Sequence, residues 1–323
     1  MPSRNVLLLP LSSLLLLACA ESLPPAPDSR KVEVRVEPGI STAEVARLLR
    51  QRGVIDSELE FRFLFWLNGG EGRVRPGRYR FLPGSSEKDV LRALVREAPA
   101  FLMVTLPEGL TLNQVADLLA AADICPADEF IAACRDTALL RELGLAGASA
   151  EGWLFPETYE FITGSKPKEI VRRLVRQTRA VLTELRPRAA TRLSDREVVI
   201  LASIVEKEAL AASERPRIAG VFLNRLNRRL PLQSCATVEY LLPERKQQLS
   251  LDDLEIASPY NTYLHSGLPP GPICSPGRAA LAAVINPERH DYIFFVARGD
   301  GTHIFSRTAA EHDAAVRRAR RRS

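Results

Sequence analysis

The chain has 323 residues, 46% hydrophobic and 26% charged, with a formal net charge of +5. That length accommodates one large or two modest domains with real cores, and so mild a charge gives no sign of a nucleic-acid binder. Zinc spacings, a P-loop and a dinucleotide glycine fingerprint are all missing from the sequence. The four His are scattered at His265, His290, His303 and His312, which argues against a metal site and leaves no expected cofactor.

At the N-terminus, Arg4 is followed by an apolar run from Val6 to Ala20, broken by Pro10. That is the length of an export-signal core and short for a bilayer span. Leu16-Leu17-Ala18-Cys19 has the form of a bacterial lipobox, which makes Cys19 the expected lipid anchor; a short uncleaved anchor is the competing reading. Residues 1–19 are thus read as an anchor segment. Residues 20–30, with Pro24, Pro25 and Pro27, are read as a stiff extended linker. The protein is expected at the inner cell membrane, facing the periplasm. In such an oxidising compartment Cys125, Cys134, Cys235 and Cys274 suggest the disulfides Cys125–Cys134 and Cys235–Cys274, with four free buried thiols as the alternative.

An internal repeat follows. Val34 to Ser41 alternates and turns at Gly39, then leads into the helical Val45-Ala46-Arg47-Leu48-Leu49. Val104 to Thr111 turns at Gly109 and leads into Val115-Ala116-Asp117-Leu118-Leu119. A weaker copy runs from Tyr79 to Ser86 and into Val90-Leu91-Arg92-Ala93-Leu94. Each is a strand, a glycine turn, a Ser or Thr cap and an amphipathic helix, so the region 31–97 is α+β. Two readings stand side by side, a ligand-free supersecondary solution and a glycan-binding unit.

From Leu139 onward the pattern is mainly helical, with Gly/Pro-rich loops. Glu169 to Leu185 is an amphipathic helix with an Arg-rich outer face. Ser194-Asp195-Arg196-Glu197 is a capping box, with Leu193 and Val198 placed as a hydrophobic staple. The helix it opens is almost wholly apolar from Val198 to Val205, then carries Glu206, Lys207 and Glu208. An unpaired buried carboxylate is costly, so either both acids are solvated or one is held in a partly dry cleft as a proton donor. Helical phase places Glu208 against Leu201, Ile204 and Val205, and Glu206 over Val199, Ala202 and Ser203 on the more polar side. Glu208 is therefore the carboxyl expected to be desolvated, with a raised pKa. Ile218 to Leu226 is a further helix, and Leu249 to Glu255 is short and polar. Asp291 to Ala297 and His303 to Ser306, joined through Gly299-Asp300-Gly301, form a hairpin. A last helix starts near Thr308 and runs into the basic tail Arg317 to Arg322.

Several segments, taken together and in order, resemble the MltG/YceG-like endolytic murein transglycosylases. They are Glu151 to Tyr159, Ala202 to Glu208, Val221 to Leu226, Leu232-Gln233, Thr237-Val238, Ser258 to Tyr263, Gly267 to Ile273, Ser275-Pro276-Gly277, and His303-Ile304-Phe305. The likeness spans residue 31 to the end. It implies a small LysM-like domain over 31–97 and a mainly helical catalytic domain with a β-hairpin over 98–323. It also implies endolytic cleavage of peptidoglycan between N-acetylmuramic acid and N-acetylglucosamine, leaving 1,6-anhydro ends. Peptidoglycan glycan strands and, for a strand-terminating enzyme, peptidoglycan synthases are the partners it implies.

The second Glu of the family's Glu-x-Glu pair maps to Glu208, the residue that helical phase selects. Ordinary glycosidases need two carboxyls. Here the sugar's own 6-hydroxyl attacks C1, so one suffices, serving as acid and then base. Gln233, Tyr260, Asn261 and Tyr263 are candidate substrate contacts, since amides bond N-acetyl groups and Tyr rings pack on sugars. An ordinary ordered loop is the plain reading of Ser258 to Tyr263. Glu157 is placed either in the cleft or, with Tyr159, in a locked turn around Pro156. His303 contacts substrate or makes a structural bond, and Glu206 tunes Glu208 or supports the fold. One departure stands out: where the family commonly carries Asp-Pro after Leu-Gln-x, this chain has Cys235-Ala236. Competing functions are a hydrolytic muramidase and a non-catalytic wall-binding scaffold.

Overall fold

The computed structural model describes residues 31–320, apart from 38, 69–73, 97–100, 245, 247 and 248. The export-type segment with Cys19, the Pro-rich linker, and Arg321 and Arg322 of the basic tail lie outside the described residues.

The chain builds two hydrophobic cores. The first is made by β1 (Val32–Val36), α1 (Thr42–Gln51), α2 (Glu58–Leu67), β2 (Gly77–Phe81) and α3 (Glu87–Arg96). β1 and β2 pair antiparallel, with Val34 opposite Tyr79 and Val36 opposite Gly77. Their inward faces and the apolar stripes of the helices bury Val34, Val45, Leu49, Phe61, Phe65, Phe81, Val90 and Leu94.

The second core begins with β3 (Phe101–Thr105) and α4 (Leu112–Ala121), followed by α5 (Ala127–Cys134) and α6 (Thr137–Glu142). β3 pairs antiparallel with β4 (Thr158–Ile162), and α7 (Pro167–Leu185) follows. Next come α8 (Asp195–Glu208), α9 (Arg215–Asn227) and the short α10 (Cys235–Glu239) and α11 (Leu251–Leu254). α12 (Arg278–Ile285), β5 (Phe294–Ala297), β6 (His303–Ser306) and α13 (Ala309–Arg320) complete it. The architecture is α+β, with three two-stranded antiparallel sheets among the described residues.

The repeat is real as local structure. Both strong copies turn at a glycine with positive φ, Gly39 at 82° and Gly109 at 78°, where a side chain is disfavoured. Both then close a capping box, Ser41 with Glu44 and Thr111 with Gln114. The copies do not pair with each other. β4, which starts at the end of the Glu151-to-Tyr159 segment, is a strand that the loop-and-helix reading of this region did not include. Its alternation of exposed Thr158 and Glu160 with buried Tyr159 and Phe161 explains it.

α8 is the axis of the second core, packed by α9 and α12. It is apolar all round because it is surrounded, and Val198 to Val205 are all buried. Its one polar residue there, Ser203, is satisfied: the hydroxyl donates to Ile200 O at 2.7 Å and accepts from Ile273 N at 3.0 Å. The capping box predicted at Ser194 and Glu197 is present. The outer Arg face of α7 is also present, with Arg172 forking onto Glu142 at 2.8 and 2.7 Å.

Neither expected disulfide is formed. Cys125, Cys134 and Cys274 are buried free thiols and Cys235 is an exposed one. The two segments of the expected staple are held apart by other partners. Cys274 donates to the Ser203 carbonyl at 3.3 Å, on α8, while Cys235 lies 3.1 Å from the Tyr263 hydroxyl.

Candidate active site

α8 ends at Glu208 because Ala209 turns extended, and that end projects the last carboxyl out of the core. It enters a cavity of about 380 Å³. The walls are Val221 and Arg225 of α9, Leu232 and Gln233 ahead of α10, Cys235 at its start, Tyr263, the β5 strand and His303 of β6. Among the described residues, Glu208 is the one carboxyl that lines this cavity.

The environment sets its protonation. Desolvation pushes the Glu208 pKa up, opposed by a hydrogen bond from Ser234, one from the Ala236 backbone N–H, and the nearby His303; Glu239 raises it further. The Ser234 hydroxyl donates to Glu208 Oε1 at 2.5 Å. A carboxyl that is favoured as the acid, yet has donors ready for its anion, is suited to giving and retaking one proton.

Gln233 and Tyr263 are brought to this cavity, as expected from the sequence. Gln233 holds a left-handed backbone, φ 53°, unusual for a residue with a side chain. Its N–H donates to Thr262 O at 3.0 Å, and its Oε1 accepts from Arg225 Nη2. Arg225 also donates to Pro231 O at 2.7 Å and Ile293 O at 2.8 Å, which ties the hairpin to the Gln233 loop. His303 also lines the cavity and is nearly buried; its Nδ1 lies 2.7 Å from Glu214 Oε2, and its N–H donates to Glu214 Oε1 at 3.2 Å. Ser234, Arg225 and Glu214 were not singled out from the sequence. Arg225 sits inside a quoted segment and Ser234 directly follows one, whereas nothing around Glu214 marks it.

Other expected site residues are placed elsewhere. Asn261 is fully buried; its amide donates to Leu254 O and Ile256 O, both at 2.9 Å, and accepts from Tyr263 N at 3.0 Å. It locks its own loop and has no group free for a sugar. Tyr260 is not on the Glu208 cavity; its ring packs 5.2 Å from that of Tyr240. Glu157 is exposed beside β4, and its carbonyl accepts from Leu106 N at 3.0 Å. Tyr159 is buried and donates to Phe155 O at 2.8 Å.

Glu206 departs from its expected place on the more polar side. Its side chain is only 5% exposed and pairs with Arg215 Nη2 at 3.0 Å. Its second oxygen accepts from Gly277 N at 2.9 Å. It pins the 275–277 loop to α8, and these partners satisfy its buried side chain.

A further carboxyl was missed. Glu151 is buried, and desolvation raises its pKa to about 7 although Leu112 N–H, Gly152 N–H and the Tyr240 hydroxyl bond it. Among the described residues no group of three His, Cys, Asp or Glu side chains is gathered to hold a metal ion.

A desolvated carboxyl thus stands at the end of a core helix, in an open cleft of an α+β scaffold. The chain belongs to the YceG-like family, whose model matches residues 34–318. It is 30% identical over 301 residues to the endolytic murein transglycosylase of Bacillus subtilis (strain 168), covering 88% of this chain and 83% of that protein. It is also 30% identical to the endolytic murein transglycosylase of Streptococcus pneumoniae serotype 2 (strain D39 / NCTC 7466), over 91% of this chain but 59% of that longer protein. Among solved structures, a yceG-like protein of Listeria monocytogenes superimposes with a TM-score of 0.58 at 29% identity, covering 88% of this chain and 99% of that one.

Proposed function

We propose that this chain is an endolytic murein transglycosylase with Glu208 as its acid and base. The observation that carries the reading is Glu208 itself, desolvated, bonded by Ser234 and the one carboxyl of its cavity. Glu208 in its acid form gives its proton to the glycosidic oxygen as the C1–O bond breaks. The muramic acid 6-hydroxyl closes onto C1, and its proton returns to Glu208. Atoms balance without water, so the new end is a 1,6-anhydro sugar. Ser234 steadies the carboxylate between the two transfers, and Gln233 and Tyr263 are the groups placed to orient the sugar.

Residues 98–323 form the catalytic unit in this reading. Residues 31–97, with the order β1-α1-α2-β2, form a LysM-like glycan-binding unit. The exposed Phe63 and Trp66 of α2, stacked at 6.3 Å, are suited to sugar faces. The apolar run Val6 to Ala20 tethers both units to the outer face of the inner membrane, where nascent strands leave their synthases; no helix among the described residues is long and apolar enough to cross a membrane.

The test is mass analysis of glycan products from purified sacculi, with wild type and Glu208→Gln. Ends lighter by one water, lost in the variant, support the reading. Reducing ends from wild type mean a hydrolytic muramidase. Binding without cutting means a scaffold. Undiminished cutting by Glu208→Gln removes Glu208 from the mechanism.

A further inference from the structure

A second cavity, of about 600 Å³, lies across α10 from Glu208 and has no part in the reaction above. The two spaces are neighbours through the chain itself. Glu208 and Cys235 line the first, and the adjoining Lys207 and Ala236 line the second. Exposed Asn113, Gln114, Arg135 and Lys207 stand at its rim, so it opens to solvent.

Its polar groups differ in how far they are satisfied. The Glu151 carboxyl takes Leu112 N–H at 3.0 Å, Gly152 N–H at 3.2 Å and the Tyr240 hydroxyl. Among the described residues Lys207 reaches the Gly109 carbonyl, at 3.4 Å, and Glu239 puts a second carboxyl on the lining. Arg135, at the end of α5, faces Glu151 through space, but its guanidinium makes no hydrogen bond or ion pair among the described residues. An idle guanidinium is a fork of donors shaped for a carboxylate. A neutral sugar has no need of it.

The substrate has an arm of that chemistry. Muramic acid carries, through its lactyl ether, a short peptide bearing carboxylates. A muramic acid with its C1 at Glu208 must send this arm out beside the catalytic cavity. We infer that the cavity beyond α10 receives the acidic peptide arm, with a carboxylate on Arg135 and Lys207 adding positive charge. This rests on the transglycosylase reading. It makes the protein a reader of peptide-bearing glycan, whereas a cleft for sugar alone would treat stripped and peptide-bearing strands alike.

The experiment measures binding to full-length Glu208→Gln protein, which holds substrate uncut. The probes are a tetrasaccharide of alternating N-acetylglucosamine and N-acetylmuramic acid with tripeptide arms, and the same tetrasaccharide stripped by an amidase, with the lactyl carboxylates this frees capped as methyl amides. At low salt the peptide-bearing probe should bind about fivefold tighter, as expected for one or two charge-assisted contacts at a partly exposed site. Arg135→Glu should bring the ratio to about one, with Arg135→Gln between, and rising salt should narrow the ratio in the parent protein. Equal affinities for both probes in the parent, or a ratio untouched by Arg135→Glu, overturn the inference while leaving the transglycosylase reading intact. If neither probe binds, that reading falls and the inference falls with it.

Discussion

Glu151→Gln offers a test of the electrostatics that does not depend on activity. Glu151 sits buried at the start of α4, and its pKa is raised from 4.5 to about 7. Below pH 4.5 both folded and unfolded chains hold the proton, so burial carries no ionisation penalty. Between pH 4.5 and 7 the unfolded chain releases it and the folded chain does not, so stability falls as pH rises. Above 7 the deficit is complete, at about 3 kcal/mol. Gln cannot ionise, and its oxygen can still accept from Leu112 N and Gly152 N. Any fixed cost of the exchange is the same at every pH. The stability of Glu151→Gln relative to wild type should therefore improve by about 2–3 kcal/mol from pH 5 to pH 8. For a chain of this size that is about 5 °C in Tm. Paired thermal melts at the two pH values give the answer, because all other titrating groups are shared and cancel. A Tm difference that does not change between pH 5 and pH 8 would show that Glu151 is not desolvated as described.

Ser234→Ala removes the donor that favours the Glu208 carboxylate, so the Glu208 pKa should rise further. On the proposed mechanism cleavage starts from the acid form, so the alkaline limb of the pH–rate profile should move up; a downward move would contradict the assigned bond. Gly152→Ala forces a side chain onto φ 77° with its Cβ 2.2 Å from Pro272 Cβ and 3.2 Å from Val199 Cγ1. It should cost about 2–4 kcal/mol, read as a lower Tm. Cys235, the exposed one of the four described thiols, should react with a maleimide before Cys125, Cys134 and Cys274, and faster at pH 9 than at pH 7, because partial desolvation of its sulfur in the cavity wall and the nearby Glu208 raise its pKa. Labelling should block cleavage, since Cys235 lines the cavity, and peptide mapping would instead reveal any disulfide.

Local features were the legible part. The capping boxes at Ser41, Thr111 and Ser194, the glycine turns and the hairpin at Gly299 to Gly301 depend on neighbours within a few residues, which the sequence displays. Helical phase also pointed correctly to Glu208 as the carboxyl in the cleft. It failed for Glu206, because the cation that buries it, Arg215, and the N–H of Gly277 come from other segments. Asn261 and Tyr260 looked like sugar contacts by residue type, yet their loop folds the first inward and the second against Tyr240. Glu214 carried no local mark at all and is meaningful only because His303 arrives beside it from the hairpin, 89 residues on.

The sequence by itself determined the strand-turn-helix units, the apolar central helix, the place where its charge appears and the family likeness. All of these follow from side-chain period and short-range hydrogen bonding. Only the tertiary structure decided which partners Glu206 and Glu208 find, which residues share the cavity, and that Cys235 and Cys274 find separate partners. Those outcomes depend on which distant groups satisfy a buried polar atom, and that is fixed when the core closes around α8.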